Sequence, residues 1–398
     1  MKLLKRLLIR WIPQPFRGVV MRRWLHLPLT DPADIRFSVA TNSELRWQAY
    51  ELVYNCYLET GSETTQEHPF RTNPYLALPT TQTIVAIKNN KVVGTLSLIL
   101  ESSLGLPAFE KIPPSDMASN GEVIAEFSSL AIAKKERGNQ GQIFWGMIRY
   151  IWEIHQRSLN IDTIVAMVRP HRAEMFISFL GFQKLSNDPI KNYRFSNNAT
   201  VYCLTLQLKE FPFWIYSHYS RHRVSGDLFA YLFTRKTNSL DYLNNEYLFQ
   251  YAERFSENEI SQLRSLWKDK LDSLNPSQLA HIASHYPSLS QDNDSSYVRR
   301  EARIDFLHEA ICYENSKIHR IRILNFAKSG LSIQSDAALK MGQSLHLKIR
   351  VSEFDSARLT AKIVRKDLKR QSYGLIVLDA DQIWNDYINH IFGDKRSA

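Results

Sequence analysis

Three stretches of this chain combine residue types and spacings that chemistry can use. The first is "YVRREARIDF", which packs Arg299, Arg300 and Arg303 together; further along, "NFAKSGLSI" sets Asn325, Ala327 and Gly330 at a turn between two short strands. Guanidinium groups grip phosphate oxygens through paired hydrogen bonds. Alone, the arginines fit a solvated charge run, a nucleic-acid contact or one half of a pocket for something smaller. The second stretch is "AEFSSLAI", where strand alternation puts the Glu126 carboxylate and the Ser128 hydroxyl on one face. Such a carboxylate is either an ordinary half-buried strand residue paired to a lysine or arginine, or a base. The third group lies at two helix starts: "KKERGNQG" holds Lys135, Arg137, Gly138 and Gly141, and "RPHRAEM" holds Arg169, His171 and Arg172. A loop opening a helix can hold one phosphate on its backbone amides, or simply turn the chain.

No metal is expected. His218 with His222, and His281 with His285, are spaced for one helical face, but no cysteine or carboxylate joins them at ligand spacing. Cys56, Cys203 and Cys312 are odd in number and lack C-x-x-C spacing, so neither a disulfide framework nor a zinc cluster is indicated, and a reducing cytoplasm fits.

The elements that must position these residues fit into 398 residues, enough for two domains and a connector. Hydrophobic residues are 44% and charged residues 23%, the composition of an ordered globular chain. A net charge of +10 and a pI near 9.3 favour acidic partners: phosphates, an anionic membrane face or an acidic protein. No apolar run is long enough to cross a bilayer. Residues 1–30 form a basic amphipathic segment, with Lys2, Lys5, Arg6 and Arg10 on one helical face and Leu3, Leu4, Leu7, Leu8 and Trp11 on the other. That pattern suits an anionic membrane surface or the protein's own core. The expected location is the cytoplasm, with peripheral attachment at the inner membrane left open.

From residue 31 to 209 strands and helices alternate, predicting a mixed α/β layer fold. "TIVAIKNNKVVGTLSLIL" reads as a hairpin turning at Asn89 and Asn90. "EVIAEFSSLAIA" and "DTIVAMV" read as strands, each followed by a helix, the second helix ending near Gly181. Residues 210–292 form an aromatic, basic and helical connector with a linker. Residues 240–290 look helical, and Ser256 with Glu259 makes a capping box. From 293 to 398 the period switches to two: Leu345, Leu347, Ile349 and Val351 alternate with Ser344, His346, Lys348 and Arg350. Five or more short strands and a final helix predict a small antiparallel β-barrel.

Taken together, R-x-x-x-R at Arg299 and Arg303 and N-x-A-x-x-G at Asn325, Ala327 and Gly330 resemble PilZ domains, the bacterial receptors for cyclic di-GMP. The resemblance covers roughly residues 296–392. It implies that Arg299, Arg300, Arg303, Asn325, Ala327 and Gly330 bind cyclic di-GMP. The chemistry agrees: arginine can also address the O6 and N7 edge of guanine, and a small residue lets backbone approach the ligand.

The α/β half resembles the GNAT acyltransferase superfamily, and within it the N-acyl amino acid synthase branch, relatives of acyl-homoserine lactone synthases. "VVGTLSLILESSLGLPAFE", "AEFSSLAI" and "MVRPHRAEMFISFLGFQKL" carry the likeness. It implies Glu126, Ser128 and His171 as catalytic residues, with backbone amides of the strand serving the oxyanion. It also implies Lys135, Arg137, Gly138 and Gly141 as the acyl-donor site. Ser129 stands where the lactone synthases keep arginine, so lactone synthesis from S-adenosylmethionine is not expected. "KERGNQ" matches the superfamily's CoA loop only in part, which points to phosphopantetheine on an acyl carrier protein as donor.

The expectation is therefore a cyclic di-GMP-regulated N-acyltransferase that moves a long acyl chain from acyl carrier protein to an amino acid or similar amine. The rival is a non-catalytic cyclic di-GMP receptor built on a retired acyltransferase fold. No nucleic-acid polymer is expected as partner, since no recognised module accompanies the basic run.

Overall fold

The structure is a computed structural model that describes residues 12, 16–23, 32–65, 68–119, 122–137, 141–219, 228–235, 240, 247, 249–289, 301–314, 317–352, 354–367 and 371–392. The amphipathic face proposed for residues 2–11, residues 290–296 of the "YPSLSQDNDSS" linker and His222 lie outside the described residues.

The α/β half is an eight-stranded mixed sheet in the order β1-β2-β3-β4-β5-β8-β6, with β7 paired to β8. Its strands are β1 (Arg36–Val39), β2 (Gln82–Lys88), β3 (Lys91–Leu100), β4 (Ile124–Ile132), β5 (Thr163–Val168), β6 (Gln183–Lys184), β7 (Ile190–Tyr193) and β8 (Ala199–Gln207). The β2–β3 hairpin turns at Asn89 and Asn90, both at positive φ (49° and 59°). Asparagine tolerates that region, and such turns match strand twist.

Side-chain alternation along β2 feeds two layers. Val85 and Ile87 face Ala49 on α2 (Ser43–Glu59). Ile84 and Ala86 belong to the main core with Met147 and Ile151 on α5 (Gln142–Ile154); α1 (Phe16–Arg23), α3 (Pro74–Ala77) and α4 (Pro114–Met117) are shorter helices earlier in the chain. Helix α5 comes close enough to β1 that a Cβ on Gly146 would sit 2.1 Å from the Phe37 ring. Helix α6 (Pro170–Leu180) ends at Gly181, whose φ of 79° is the left-handed cap expected from the sequence. On its outer side it receives α1, through Arg22 Nη1 donating to Ser178 O at 2.8 Å.

The connector packs into this unit. Helix α7 (Phe211–Tyr219) buries Phe211 and Ile215, while Phe213 (78%) and Tyr216 (58%) remain exposed. Helices α8 (Glu257–Leu271) and α9 (Pro276–His285) both carry capping boxes, from Ser256 with Glu259 and from Asn275 with Gln278. The predicted helical run over 240–290 is interrupted, because Gln250–Phe255 runs as an irregular strap. Its backbone pairs with the α/β half rather than with itself: Ala252 N donates to Pro79 O (3.0 Å) and Glu253 N to Thr41 O (2.7 Å).

The C-terminal half is a closed barrel in the order β10-β11-β14-β13-β12-β9. Its strands are β9 (Ile304–Glu314), β10 (Lys317–Phe326), β11 (Gly330–Gln334), β12 (Ser344–Arg350), β13 (Ser356–Asp367) and β14 (Ser372–Ala380). Leu345, Leu347 and Ile349 point inward, as the period-two pattern predicts. Helix α10 (Gln382–Phe392) closes one face with Trp384, Tyr387 and Ile388.

Candidate functional site

A cleft opens where β4 and β5 part. Their parallel pairing runs from Ile124–Thr163 to Phe127–Ala166 and stops there, while β4 continues to Ile132. Ligands of open α/β sheets bind at such carboxyl-end crevices. On the β3 side the register jumps between Ser97–Ser128 and Thr95–Ala131, so Ser129 and Leu130 together oppose Leu96 in a β-bulge. Ser129 takes φ +57°, a left-handed conformation uncommon for serine. Neither bulge residue has a paired partner on β3 in this register.

The resulting cavity is about 440 Å³ and is lined by Glu126, Ser128, Arg137, Gly141 and His171, among others. It thus gathers five of the seven residues that the sequence assigns to catalysis or donor binding. Lys135 is exposed in the short 3-10 turn Lys134–Glu136 and does not line the cavity. Gly138 lies outside the described residues.

Glu126 is only 3% exposed. Its Oε2 accepts from Ala108 N at 2.8 Å, and its Oε1 accepts from the Tyr193 hydroxyl at 3.4 Å. Both bonds favour the ionised form, but burial outweighs them and pushes the carboxyl up to about 8. Burial, with Glu126 beside it, drives the Tyr193 phenol well above its ordinary value, so it stays a donor. The Ser128 and Ser129 hydroxyls lie 3.4 Å apart. His171 follows Pro170 at the start of α6; burial and then Arg172 and Arg169 hold its imidazole below its ordinary value, so it is neutral at pH 7.

Arg137 donates to Ile132 O (2.7 Å) and pairs with Glu59 (3.0 Å), which fixes the loop before α5. Gly141 is the N-cap of α5 at φ 77°. Arg71, Tyr193 and Lys270 are among the lining residues that had no signal in the sequence. Tyr193 and Lys270 come from segments far from Glu126 in the chain. Only "WKDKL" on an amphipathic helix could have drawn attention to Lys270.

In the barrel, Arg303 Nη1 donates to Asn325 Oδ1 at 3.0 Å, joining the two motifs. The turn between them and β11 is closed by Ala327 N donating to Gly330 O (2.7 Å). A Cβ on Gly330 would lie 2.6 Å from Leu375 O, so only glycine fits. Glu301 accepts from the backbone and hydroxyl of Ser329 in that turn (3.2 and 2.8 Å). Arg299 and Arg300 lie outside the described residues. His281 and His285 stack edge to face at 5.2 Å, and His281 Nε2 is 3.3 Å from Asp305 Oδ2; no metal-ligand cluster occurs among the described residues.

Asp305 also binds the other half. It accepts from Ser103 N (2.7 Å) and Ser103 Oγ (3.2 Å), and Ser103 sits in the same loop whose Ala108 N–H reaches Glu126.

Fold and site thus define an acyltransferase-like α/β domain fused to a small closed barrel. Residues 48–207 match the family model described as N-acyl amino acid synthase FeeM, and residues 297–392 match the PilZ domain model. The chain therefore joins an N-acyl amino acid synthase FeeM domain to a C-terminal PilZ domain. Among solved structures, FeeM, an N-acyl amino acid synthase from uncultured soil microbes, is similar at 21% identity over 45% of this chain and 93% of that one, with TM-score 0.37. The CoA-dependent acyl-homoserine lactone synthase BjaI, with SAM and isopentyl-CoA, is 14% identical over 50% and 98% of the two chains, TM-score 0.35. The PilZ domain of CeSA from a cellulose synthesizing bacterium is 17% identical over 23% and 97%, TM-score 0.20. No curated protein matches.

Proposed function

We propose that the chain transfers a long acyl chain from acyl-phosphopantetheine on an acyl carrier protein to the nitrogen of an amino acid or similar amine, under control of cyclic di-GMP. The observation that carries this reading is Glu126, a buried carboxylate facing a cavity at the fork of β4 and β5. Glu126, once ionised, takes a proton from the attacking amine as the N–C bond forms at the thioester carbonyl. The oxyanion develops beside the amides of the Ser129 bulge. Collapse breaks the C–S bond, and the proton held by Glu126 returns to the leaving thiolate. Ser128 and His171 support the thioester and the amine. Arg137 and Gly141 at the start of α5 suit the single phosphate of phosphopantetheine.

In the barrel, Arg303 with Arg299 and Arg300 would grip the phosphates and guanine edges of cyclic di-GMP, while Asn325 bonds a guanine and Gly330 keeps the backbone close. The Asp305–Ser103 bonds support coupling, because Asp305 faces Asn325 across β9–β10. Exposed Phe16, Phe213 and Tyr216, together with the basic composition of the N-terminal segment, support contact with an anionic membrane surface. No described helix is long and apolar enough to cross a membrane.

The test is mass spectrometry of products formed from long-chain acyl carrier protein thioester and a panel of amino acids, with and without cyclic di-GMP. N-acyl products whose yield changes with the nucleotide support the reading. Absence of product in both conditions overturns it in favour of the non-catalytic receptor.

A further inference from the structure

The cleft is lined by more cationic than acidic side chains. Arg71, Arg137, Arg169, Arg172 and Lys270 face Glu126 and Glu136. Some of these charges are already paired: Arg71 with Glu63, Arg137 with Glu59, and Glu136 with Lys88. Lys270 has no carboxylate within ion-pair distance among the described residues, and its ammonium donates instead to a neutral acceptor, Thr72 O, at 2.8 Å. Burial and then the neighbouring Arg71 lower it to about 8. An ammonium held in such a place gains most from an anion that arrives with the substrate.

Position says which anion. Arg71 donates to Phe195 O at 2.9 Å, two residues from the Tyr193 that donates to Glu126. The donor phosphate already has a place at Arg137 and Gly141, on the loop before α5. In an α-amino acid the carboxylate is one carbon from the amine. An amine facing Glu126 therefore keeps its carboxylate within the same cavity, which Arg71 and Lys270 also line.

We propose that Lys270, delivered by the connector helix α8 and backed by Arg71, binds the α-carboxylate of the acceptor and so selects free amino acids over simple amines. The inference rests on the acyl-transfer reading and adds to it a residue from outside both matched segments. Lys270 is a specificity residue that touches substrate, while Arg71 positions and reinforces it.

The experiment uses the full chain, the twenty amino acids and their methyl esters. Calorimetric binding needs no turnover: wild-type protein should bind at least one amino acid about tenfold or more tightly than its ester, and Lys270→Met should erase that preference. Where product forms, Lys270→Met should raise KM for the amino acid about tenfold while KM for the acyl carrier protein thioester stays within about twofold. Lys270→Arg, which keeps the charge and guards against misfolding of the methionine variant, should retain part of the preference. Equal wild-type affinity for acid and ester, or no binding of any of them, overturns the inference. A rise in KM for the thioester alone overturns it too and assigns Lys270 to the donor phosphate. Product formation with an unchanged acceptor KM in Lys270→Met sinks the Lys270 role and leaves the acyltransferase standing; wild-type protein that binds but never acylates sinks the acyltransferase alone.

Discussion

Asp305 on the first strand of the barrel accepts two hydrogen bonds from Ser103, through its backbone N–H and its hydroxyl, in the loop that also hydrogen-bonds Glu126. Two residues before Asp305, Arg303 bonds Asn325. The two barrel motifs and the buried Glu126 carboxyl are thus joined by a short run of bonded groups. Asp305→Ala should leave cyclic di-GMP affinity within a few-fold of wild type and abolish the change in acylation rate that the nucleotide causes. Isothermal titration and a product assay measure the two quantities separately. A variant that still responds fully would break the proposed coupling. The lost charge-assisted bonds should also cost about 1–3 kcal/mol of stability.

The second expectation concerns pH and rate. With the Glu126 carboxyl at about 8, only a minor fraction is ionised at neutral pH. The rate constant kcat, which reports the loaded enzyme, should therefore climb by up to about tenfold per pH unit below 8, while kcat/KM for a free amino acid should fall again above about 8 as Lys270 loses its proton. Glu126→Gln should lower kcat by roughly 100-fold or more and flatten that rise. An unchanged rate would remove Glu126 from the mechanism.

Stability should move in the opposite sense. The folded value of about 8 lies above the ordinary 4.5, so the folded state holds the proton more tightly. Its contribution is complete below about 4.5 and is lost as pH rises to about 8. Wild type should accordingly lose stability relative to Glu126→Gln across that window, by on the order of a few kcal/mol. Thermal melts of both proteins at pH 5 and pH 8.5 give the comparison; parallel melting at both values would contradict the buried-carboxyl assignment.

In the barrel, Gly330→Ala should be damaging because its new methyl meets Leu375 O at 2.6 Å. A loss of about 1–3 kcal/mol and weakened nucleotide binding are expected. Arg299→Ala with Arg303→Ala should abolish cyclic di-GMP binding while leaving the melting temperature nearly unchanged, as read by titration and calorimetry. Retained affinity would reassign the arginines to a charged surface.

Much of the architecture was legible because it is local. The Asn89–Asn90 turn, the Ser256–Glu259 capping box, the Gly181 cap and the alternation of β12 are written in contiguous residues, and each forms as read. The bulge at Ser129 was not legible. Serine carries no conformational mark of the positive φ it adopts, and the irregularity depends on how β4 meets β3. Glu126, Ser128 and His171 line one cavity, and each was singled out from a short contiguous motif. Tyr193 and Lys270 were missed because they reach the cleft from distant segments whose pairing no local pattern encodes. The strap at Gln250–Phe255 was misread as helix for a related reason: its backbone partners, Thr41 and Pro79, lie elsewhere in the chain.

The segment between the two matched families has a practical consequence for anyone who would take the protein apart. Ile260, Leu263, Trp267, Ile282 and Tyr286 share one apolar cluster with Tyr50, Tyr75, Leu76 and Ile99. Cutting the chain at the end of the family match would strip that wall from the sheet, open the cleft to water on the Lys270 side, and leave an exposed apolar surface in place of a closed core. The unit that can be transplanted or crystallised alone is therefore larger than the family boundary and reaches at least to Leu289.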